Sequence, residues 1–255
     1  VEETYKRPFF DRLFRNVLSF VLPRPKVFLA LAYLSKLIKP FSFLLPTFLK
    51  NSLNLMPNKI PSKKIETQKI YKPESGKIIS RVALLTGCVQ RVISPEINES
   101  TIRILNRHNV EVVVMPEIEC CGSLNHHLGK KDLAHQSFVK NIEKWHEEYI
   151  ANGLDAIISN TSGCGTTLKD YGHIFKNNND LKKKAKKISE LTKDVTEYLE
   201  ESLDLKIKTN DEKKYKIAYH SACSMQHGQK VHQQPKDLIS RTGNEVIDIP
   251  EGHLC

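Results

Sequence analysis

Two adjacent cysteines followed by glycine, Cys120-Cys121-Gly122, are the residues of this chain best suited to chemistry. Cys88 lies 32 positions before the pair, in Thr86-Gly87-Cys88, and Cys164 follows in Asn160-Thr161-Ser162-Gly163-Cys164-Gly165. Cys223 and Cys255 complete a set of six. Thiolate sulfur is the ligand class of iron–sulfur clusters, and zinc is its other common occupant. Zinc sites favour short Cys-x2-4-Cys knuckles, which this sequence lacks. Adjacent cysteines aimed at one site suit a multi-iron cluster better than a single tetrahedral ion. A redox dithiol and unligated structural thiols are the remaining readings. Gly87, Gly122, Gly163 and Gly165 would let backbone approach a bulky inorganic core and present N–H groups to sulfide, or would only make tight turns. Among the histidines His220, three residues before Cys223, is the first candidate for a further ligand. His126, His127, His227 and His232 are read as structural. Lys169-Asp170-Tyr171-Gly172 reads as a helix start or turn.

The wider composition narrows the setting. Six cysteines in 255 residues are too sparse for a disulfide scaffold, and adjacent cysteines rarely bridge each other. The chain opens at Val1-Glu2-Glu3 with no methionine and no signal peptide, so a reducing, cytoplasmic setting is expected and the sequence reads as part of a longer protein. With 40% hydrophobic and 27% charged residues it is ordinary globular material. The net charge of +10 suits nucleic acid, an anionic membrane surface or an acidic partner. Much of it lies in Lys182-Lys183-Lys184-Ala185-Lys186-Lys187, read as a solvated helix face. No aromatics are interleaved there to stack on bases, which argues against nucleic acid.

The elements that must position the thiols follow from hydrophobic pattern. Ile78–Leu85 is an apolar run broken only by Ser80 and Arg81, as in a buried parallel strand. Glu96–His108 has helical spacing, and Val110–Met115 is a β-branched strand. Asp132–Asn152, with the only tryptophan, Trp145, predicts a long helix. Asp155–Ser159 is a third strand, with Thr161–Gly165 as its outgoing loop. Leu181–Ser202 predicts one further helix. Lys214–Tyr219 is a strand leading to Cys223, Lys236–Thr242 a helix, and Glu245–Ile249 a strand. This alternation favours a parallel sheet with right-handed crossovers. Ligands bind such sheets at the carboxyl ends of the strands, where Cys88, Cys120, Cys121, Cys164 and Cys223 fall. Upstream, residues 5–56 are rich in Phe, Leu and Pro. Prolines 23, 25, 40, 46 and 57 are expected to cut this region into pieces of about a dozen residues, shorter than a membrane span of roughly twenty. Short amphipathic helices are expected there, packed on the core or lying on a membrane or partner subunit. Residues 57–78 read as a linker.

The pattern repeats. Cys223 to Cys255 is again 32 positions, and Glu245-Val246 with Pro250 matches Glu111-Val112 with Pro116 at a one-residue offset. The repeat predicts a Cys-Gly following Cys255. The domain reading is an apolar connecting region and linker over 1–76, a first repeat over 77–210, and the start of a second over 211–255.

Taken together, Arg81–Cys88, Cys120-Cys121-Gly122, Ser162–Gly165 with Lys169–Gly172, and Tyr219–His227 closely resemble the iron–sulfur subunits of glycolate oxidase (glycolate dehydrogenase) over about residues 78–255. Residues 1–60 look like that family's connecting region. The tandem module resembles the cysteine-rich CCG domain shared with the B subunit of heterodisulfide reductase. The resemblance implies an α/β fold of two tandem CCG-type repeats, with parallel sheets flanked by helices, and a 4Fe–4S-type cluster held by Cys88, Cys120, Cys121, Cys164, Cys223 and Cys255. It implies an upstream ferredoxin-like domain and flavin (FAD) subunits as partners that oxidise glycolate. Electrons would pass onward to a quinone, with a peripheral place on the inner face of the cell membrane. Related subunits serve heterodisulfide, lactate and glycerol-3-phosphate systems, and a metal-free dithiol enzyme or a scaffold stays as the alternative. One departure is Thr161, which stands where the fuller pattern has the first cysteine of Cys-x-x-Cys. The missing ligand and the end at Cys255 would leave this stretch of chain without a cluster on the second reading.

Overall fold

The computed structural model describes residues 4–54, 56, 70–205, 207 and 214–252. Its main sheet is built from β1 (Ile70–Tyr71), β2 (Ser80–Leu85), β3 (Val110–Val113), β4 (Ala156–Ser159) and β5 (Thr192–Asp194), in the order β1-β3-β2-β4-β5. β2 pairs parallel with β3 and β4, β4 pairs parallel with β5, and β1 runs antiparallel along the β3 edge. All of β3 and β4 and the last four residues of β2 are buried, which is why these segments read as unbroken apolar runs.

Side chains alternate between two cores, as strand geometry requires. Ala83, Leu85, Val113 and Ile157 face α7 (Lys131–Asn152), α8 (Ser162–Ile174) and α9 (Lys182–Leu191), against Phe138, Trp145, Leu168, Tyr171 and Ile188. Val82, Leu84, Val112 and Ile158 face α5 (Pro95–Arg107) and α10 (Val195–Ser202), against Ile102, Leu105, Tyr198 and Leu199. The result is a three-layer α/β/α sandwich, the expected fold class. β3 lies on one side of β2 and β4 on the other, so the chain reverses its direction of travel across the sheet at β2. That is where an open α/β sheet leaves a crevice.

A second, two-stranded parallel sheet pairs β6 (Lys216–Tyr219) with β7 (Glu245–Asp248), joined through α11 (Gln234–Arg241). Its pairing offset is one residue shorter than that between β2 and β3. A π-turn at Ser224–Gln229 rests on α8, where Ser224 Oγ donates to Ser162 Oγ (2.9 Å) and Thr166 Oγ1 donates to the Ser224 carbonyl (2.7 Å).

Four expectations are corrected. The helix expected over Leu181–Ser202 is broken by β5, because Asp194 caps α10 through a capping box with Glu197. The loop expected over Thr161–Gly165 is already helical from Ser162, and Lys169–Gly172 lies inside α8. The sheet reaches back to Ile70, across the boundary expected at 76/77, while most of the expected linker lies outside the described residues. Upstream, α1 (Phe9–Val21), α2 (Pro25–Ile38), a 3-10 segment (Lys39–Leu44) and α3 (Thr47–Asn54) form the apolar region. Pro40 falls in the first turn of the 3-10 segment, where its missing N–H is not needed. Pro25–Leu44 therefore runs on for 20 residues, long and apolar enough to cross a membrane by length and composition alone.

Candidate iron–sulfur site

Three loops of the main sheet converge at its carboxyl rim and bring four cysteines together. Cys88 follows β2 and precedes α4 (Gln90–Ile93), and Cys120 and Cys121 lie between β3 and α6 (Ser123–His127). Cys164 sits in the first turn of α8, after β4. Their side chains form a continuous run of contacts: Cys88 with Cys120, Cys120 with Cys121, and Cys121 with Cys164 at an Sγ–Sγ distance of 3.1 Å. All four are free thiols. Cys120 and Cys121 are buried in the middle of the array, while Cys88 and Cys164 are half-buried at its ends. The array thus has a dry centre and two partly open ends.

Asn98, Gln90 and Asn141, which the sequence reading did not single out, hold the loops in place together with Tyr171. Asn141 Nδ2 donates to the Cys120 carbonyl (2.9 Å) and to Tyr171 Oη (3.0 Å), and Tyr171 Oη donates to the Cys121 carbonyl (2.7 Å). Asn98 Nδ2 donates to the Thr86 carbonyl (2.8 Å) ahead of Cys88. Gln90 Nε2 donates to Asn98 Oδ1 and Asn160 Oδ1 (2.9 and 2.7 Å), joining the β2 and β4 loops. Their only sequence signal is Asn or Gln on otherwise apolar helix faces or beside a glycine turn, which is weak.

Gly87 and Gly122 turn through positive φ, as the tight-turn reading expects, and two of the four glycines also make room for neighbouring side chains. At Gly122, with φ +83°, an added Cβ would lie 2.5 Å from the Phe138 ring. At Gly165 it would lie 2.6 Å from the Gln229 side-chain amide. Both admit protein side chains, and the Gly122 N–H also donates to Cys120 Sγ (3.4 Å). Thr161, at the position of the missing cysteine, stands at the N-terminal boundary of α8 without a capping hydrogen bond, and its hydroxyl donates instead to Gln90 Oε1 (2.7 Å).

The remaining candidates stand apart. Cys223 is disulfide-bonded and outside the array, and His220 is exposed beyond β6. Cys255 lies outside the described residues. His126 packs its ring on Phe138 at 5.7 Å.

Electrostatics favours protons on three of the four metal-free thiols, Cys88, Cys120 and Cys121. Contact with Cys121, then burial, pushes the Cys120 thiol from 9.0 up to about 12, against the opposing contact with Cys88. Contact with Cys120, then burial, pushes Cys88 higher still. At Cys121 the contact with Cys120 favours ionisation, but Cys164 and full burial outweigh it and the thiol is held well above its usual range. Since the thiolate is the nucleophile, Cys88, Cys120 and Cys121 are held in the less reactive, protonated form at neutral pH. A bound metal would take the place of these protons. A single tetrahedral ion at metal–sulfur distances of about 2.3 Å spaces its sulfurs about 3.8 Å apart. The 3.1 Å pair would have to open for a single ion as for a cluster, and among the described residues no three His, Cys, Asp or Glu side chains surround one ion position. The donor set, all sulfur and gathered from three strand ends, fits an iron–sulfur centre in its chemistry.

Comparison with known proteins agrees with this donor chemistry. Residues 82–169 match the model of the CCG cysteine-rich domain. The chain is 34% identical over 255 residues to the glycolate oxidase iron–sulfur subunit of Escherichia coli, covering all of this chain and 59% of that protein. It is 26% identical over 216 residues to a probable glycolate oxidase iron–sulfur subunit of Bacillus subtilis (83% of this chain, 47% of that one). It is 24% identical over 176 residues to lactate utilization protein A of Anoxybacillus flavithermus (68% of this chain, 71% of that one). The chain thus spans about half the length of the glycolate oxidase subunits it matches. No solved structure matches it.

Proposed function

We propose, from the match of residues 82–169 to the CCG cysteine-rich domain and from the likeness to glycolate oxidase iron–sulfur subunits, that the chain is the electron-carrying part of an iron–sulfur subunit in a glycolate (2-hydroxyacid) dehydrogenase complex. The observation that carries this reading is the run of four thiols at the ends of three neighbouring parallel strands. Cys88, Cys120, Cys121 and Cys164 would hold the cluster, of 4Fe–4S type. When bound, that group supplies one-electron chemistry and no group transfer.

What the chain's own residues do follows from their placement. Asn141 and Tyr171 fix the Cys120 and Cys121 backbone, while the Cys121 and Cys164 sulfurs, 3.1 Å apart, would move apart on loading. The aromatic and aliphatic wall of Phe138, Leu168 and Ile118 excludes water from the buried middle of the array. Cys88 and Cys164, half-buried, are the sides from which electrons enter and leave. Substrate oxidation then falls to a flavin-bearing partner subunit, with a quinone as acceptor. Cys223 and Cys255 are proposed as ligands contributed by the second repeat, which requires Cys223 in its reduced form.

The test is anaerobic purification of the full-length protein with iron and sulfide analysis and electron paramagnetic resonance. Iron with a cluster signal is expected. Cys121→Ser and Cys164→Ser are expected to lose one component of that signal and the matching share of the iron, the rest belonging to the upstream ferredoxin-like domain; variants that keep both in full would overturn the reading. Colourless, iron-free protein from such a preparation would sink the proposal.

A further inference from the structure

Helix α1 is mounted with its polar side inward. Ser19 Oγ donates to Asn125 Oδ1 (2.6 Å), Arg15 donates to the Leu128 carbonyl (3.0 Å), and Lys130 Nζ donates to Asn16 Oδ1 (2.6 Å). The opposite face carries Phe9, Phe10, Leu13, Val17 and Phe20 at helical spacing, and each is 47% exposed or more. This inverts the usual arrangement, in which the apolar stripe faces the core. The surface continues along α2 and the 3-10 segment through Leu37, Phe41, Phe43 and Leu44, exposed at 59–73%. Isolated exposed apolar residues need no explanation, but a contiguous face of this kind marks an interaction surface.

Charge says what that surface meets. Over residues 4–54 nine Lys and Arg residues stand against Asp11 as the sole acid. Four of these basic side chains, Lys6, Arg7, Arg12 and Arg15, line one cavity of about 410 Å³ at the edge of the apolar face, together with Lys130, Asn16 and the Tyr5 ring. A cationic cavity beside an aromatic apolar face is complementary to a phospholipid, with phosphate in the cavity and acyl chains against the phenylalanines.

We propose that α1, α2 and the 3-10 segment form a monotopic docking surface for an anionic phospholipid bilayer, with the cavity at Lys6, Arg7, Arg12 and Arg15 as its headgroup site. The geometry favours lying on the bilayer over crossing it. Phe28 and Ala32 of α2 pack on Val92 of α4, and α1 is tied to the α6–α7 region, so drawing α2 through a membrane would tear out both. The proposal goes beyond the electron-transfer reading and does not depend on a cluster being bound.

The experiment is co-sedimentation of the full-length protein with vesicles of phosphatidylglycerol and phosphatidylcholine in equal parts, and with phosphatidylcholine alone. Binding to the anionic vesicles is expected, weakening with salt and resisting excess inorganic phosphate. Phe9→Ser/Phe10→Ser/Phe20→Ser is expected to lower the partition coefficient at least ten-fold. Each of Lys6→Gln and Arg12→Gln is expected to lower it about five-fold. These side chains are on the open surface, and circular dichroism checks that the variants fold. Absence of binding to anionic vesicles overturns the proposal. So does binding that both sets of variants leave unchanged, or a wild-type dimer that the phenylalanine variant splits without any vesicle association. Iron content measured on the same samples separates the two readings. Iron-loaded protein that ignores vesicles removes only the docking surface, and iron-free protein that binds them removes only the cluster.

Discussion

Gly122→Ala tests how the cysteine pair is held. Gly122 follows Cys121 with φ +83°, and a Cβ there would lie 2.5 and 2.7 Å from two carbons of the Phe138 ring. Left-handed backbone costs an alanine about 1–2 kcal/mol. Displacing a packed ring adds about 1–3 kcal/mol, for a total loss of about 2–5 kcal/mol against the 5–15 typical of a domain. The two parts separate in a double-mutant cycle. Phe138→Ala alone should cost about 3–5 kcal/mol. In that background Gly122→Ala meets no ring, so only the backbone cost of about 1–2 kcal/mol remains. The coupling is then about 1–3 kcal/mol. Urea unfolding of the four full-length proteins measures each value from its midpoint, and iron content should fall with Gly122→Ala in the wild-type background. A Gly122→Ala cost under about 0.5 kcal/mol, or the same cost in both backgrounds, would refute the reasoning.

Three further outcomes are expected. Tyr171→Phe deprives the Cys121 carbonyl of its donor and should cost about 1–3 kcal/mol with lower iron content, measured by unfolding and metal analysis. Arg81 bridges Glu111 and Glu148 at the far end of the sheet, where both acids are largely buried. Arg81→Ala should therefore destabilise the protein by about 3–5 kcal/mol without changing the spectrum of the iron that remains bound. Burial raises the Asp194 carboxyl above 3.8, against hydrogen bonds from Thr196, so the folded protein holds that proton more tightly than the unfolded chain. Its contribution to stability therefore grows as pH falls through the folded pKa. Asp194→Asn keeps the cap without the charge and should be no less stable than wild type near neutrality, with the gap closing in acid. Asp194→Ala should lose about 1 kcal/mol throughout, by unfolding at a series of pH values.

The thiol rim was legible in the sequence because its logic is local. Val82–Leu85, Val110–Val113 and Ala156–Ser159 are β-branched or aliphatic runs, and each is followed within a few residues by a cysteine. Parallel pairing then brings those cysteines to one edge. Short, polar β5 was not legible, since Thr192-Lys193-Asp194 has neither period nor hydrophobicity and is a strand only because β4 offers it an edge. Asn141 and Tyr171 were hidden for another reason. They lie on α7 and α8, and their purpose appears only when those helices are laid against the cysteine loop. The inverted face of α1 is likewise invisible to periodicity, which finds an apolar stripe but not the side on which the protein lies.

The strand order β3-β2-β4 bears on how the protein matures. The four sulfurs are contributed by residues 88 to 164, and they meet only after the long crossover through α7 has been laid down and β4 has docked beside β2. A nascent chain ending before β4 offers at most three of them. On the function proposed above, insertion of iron and sulfide would be deferred until the sandwich has closed, and a donor would have to work from outside, through the half-buried Cys88 or Cys164.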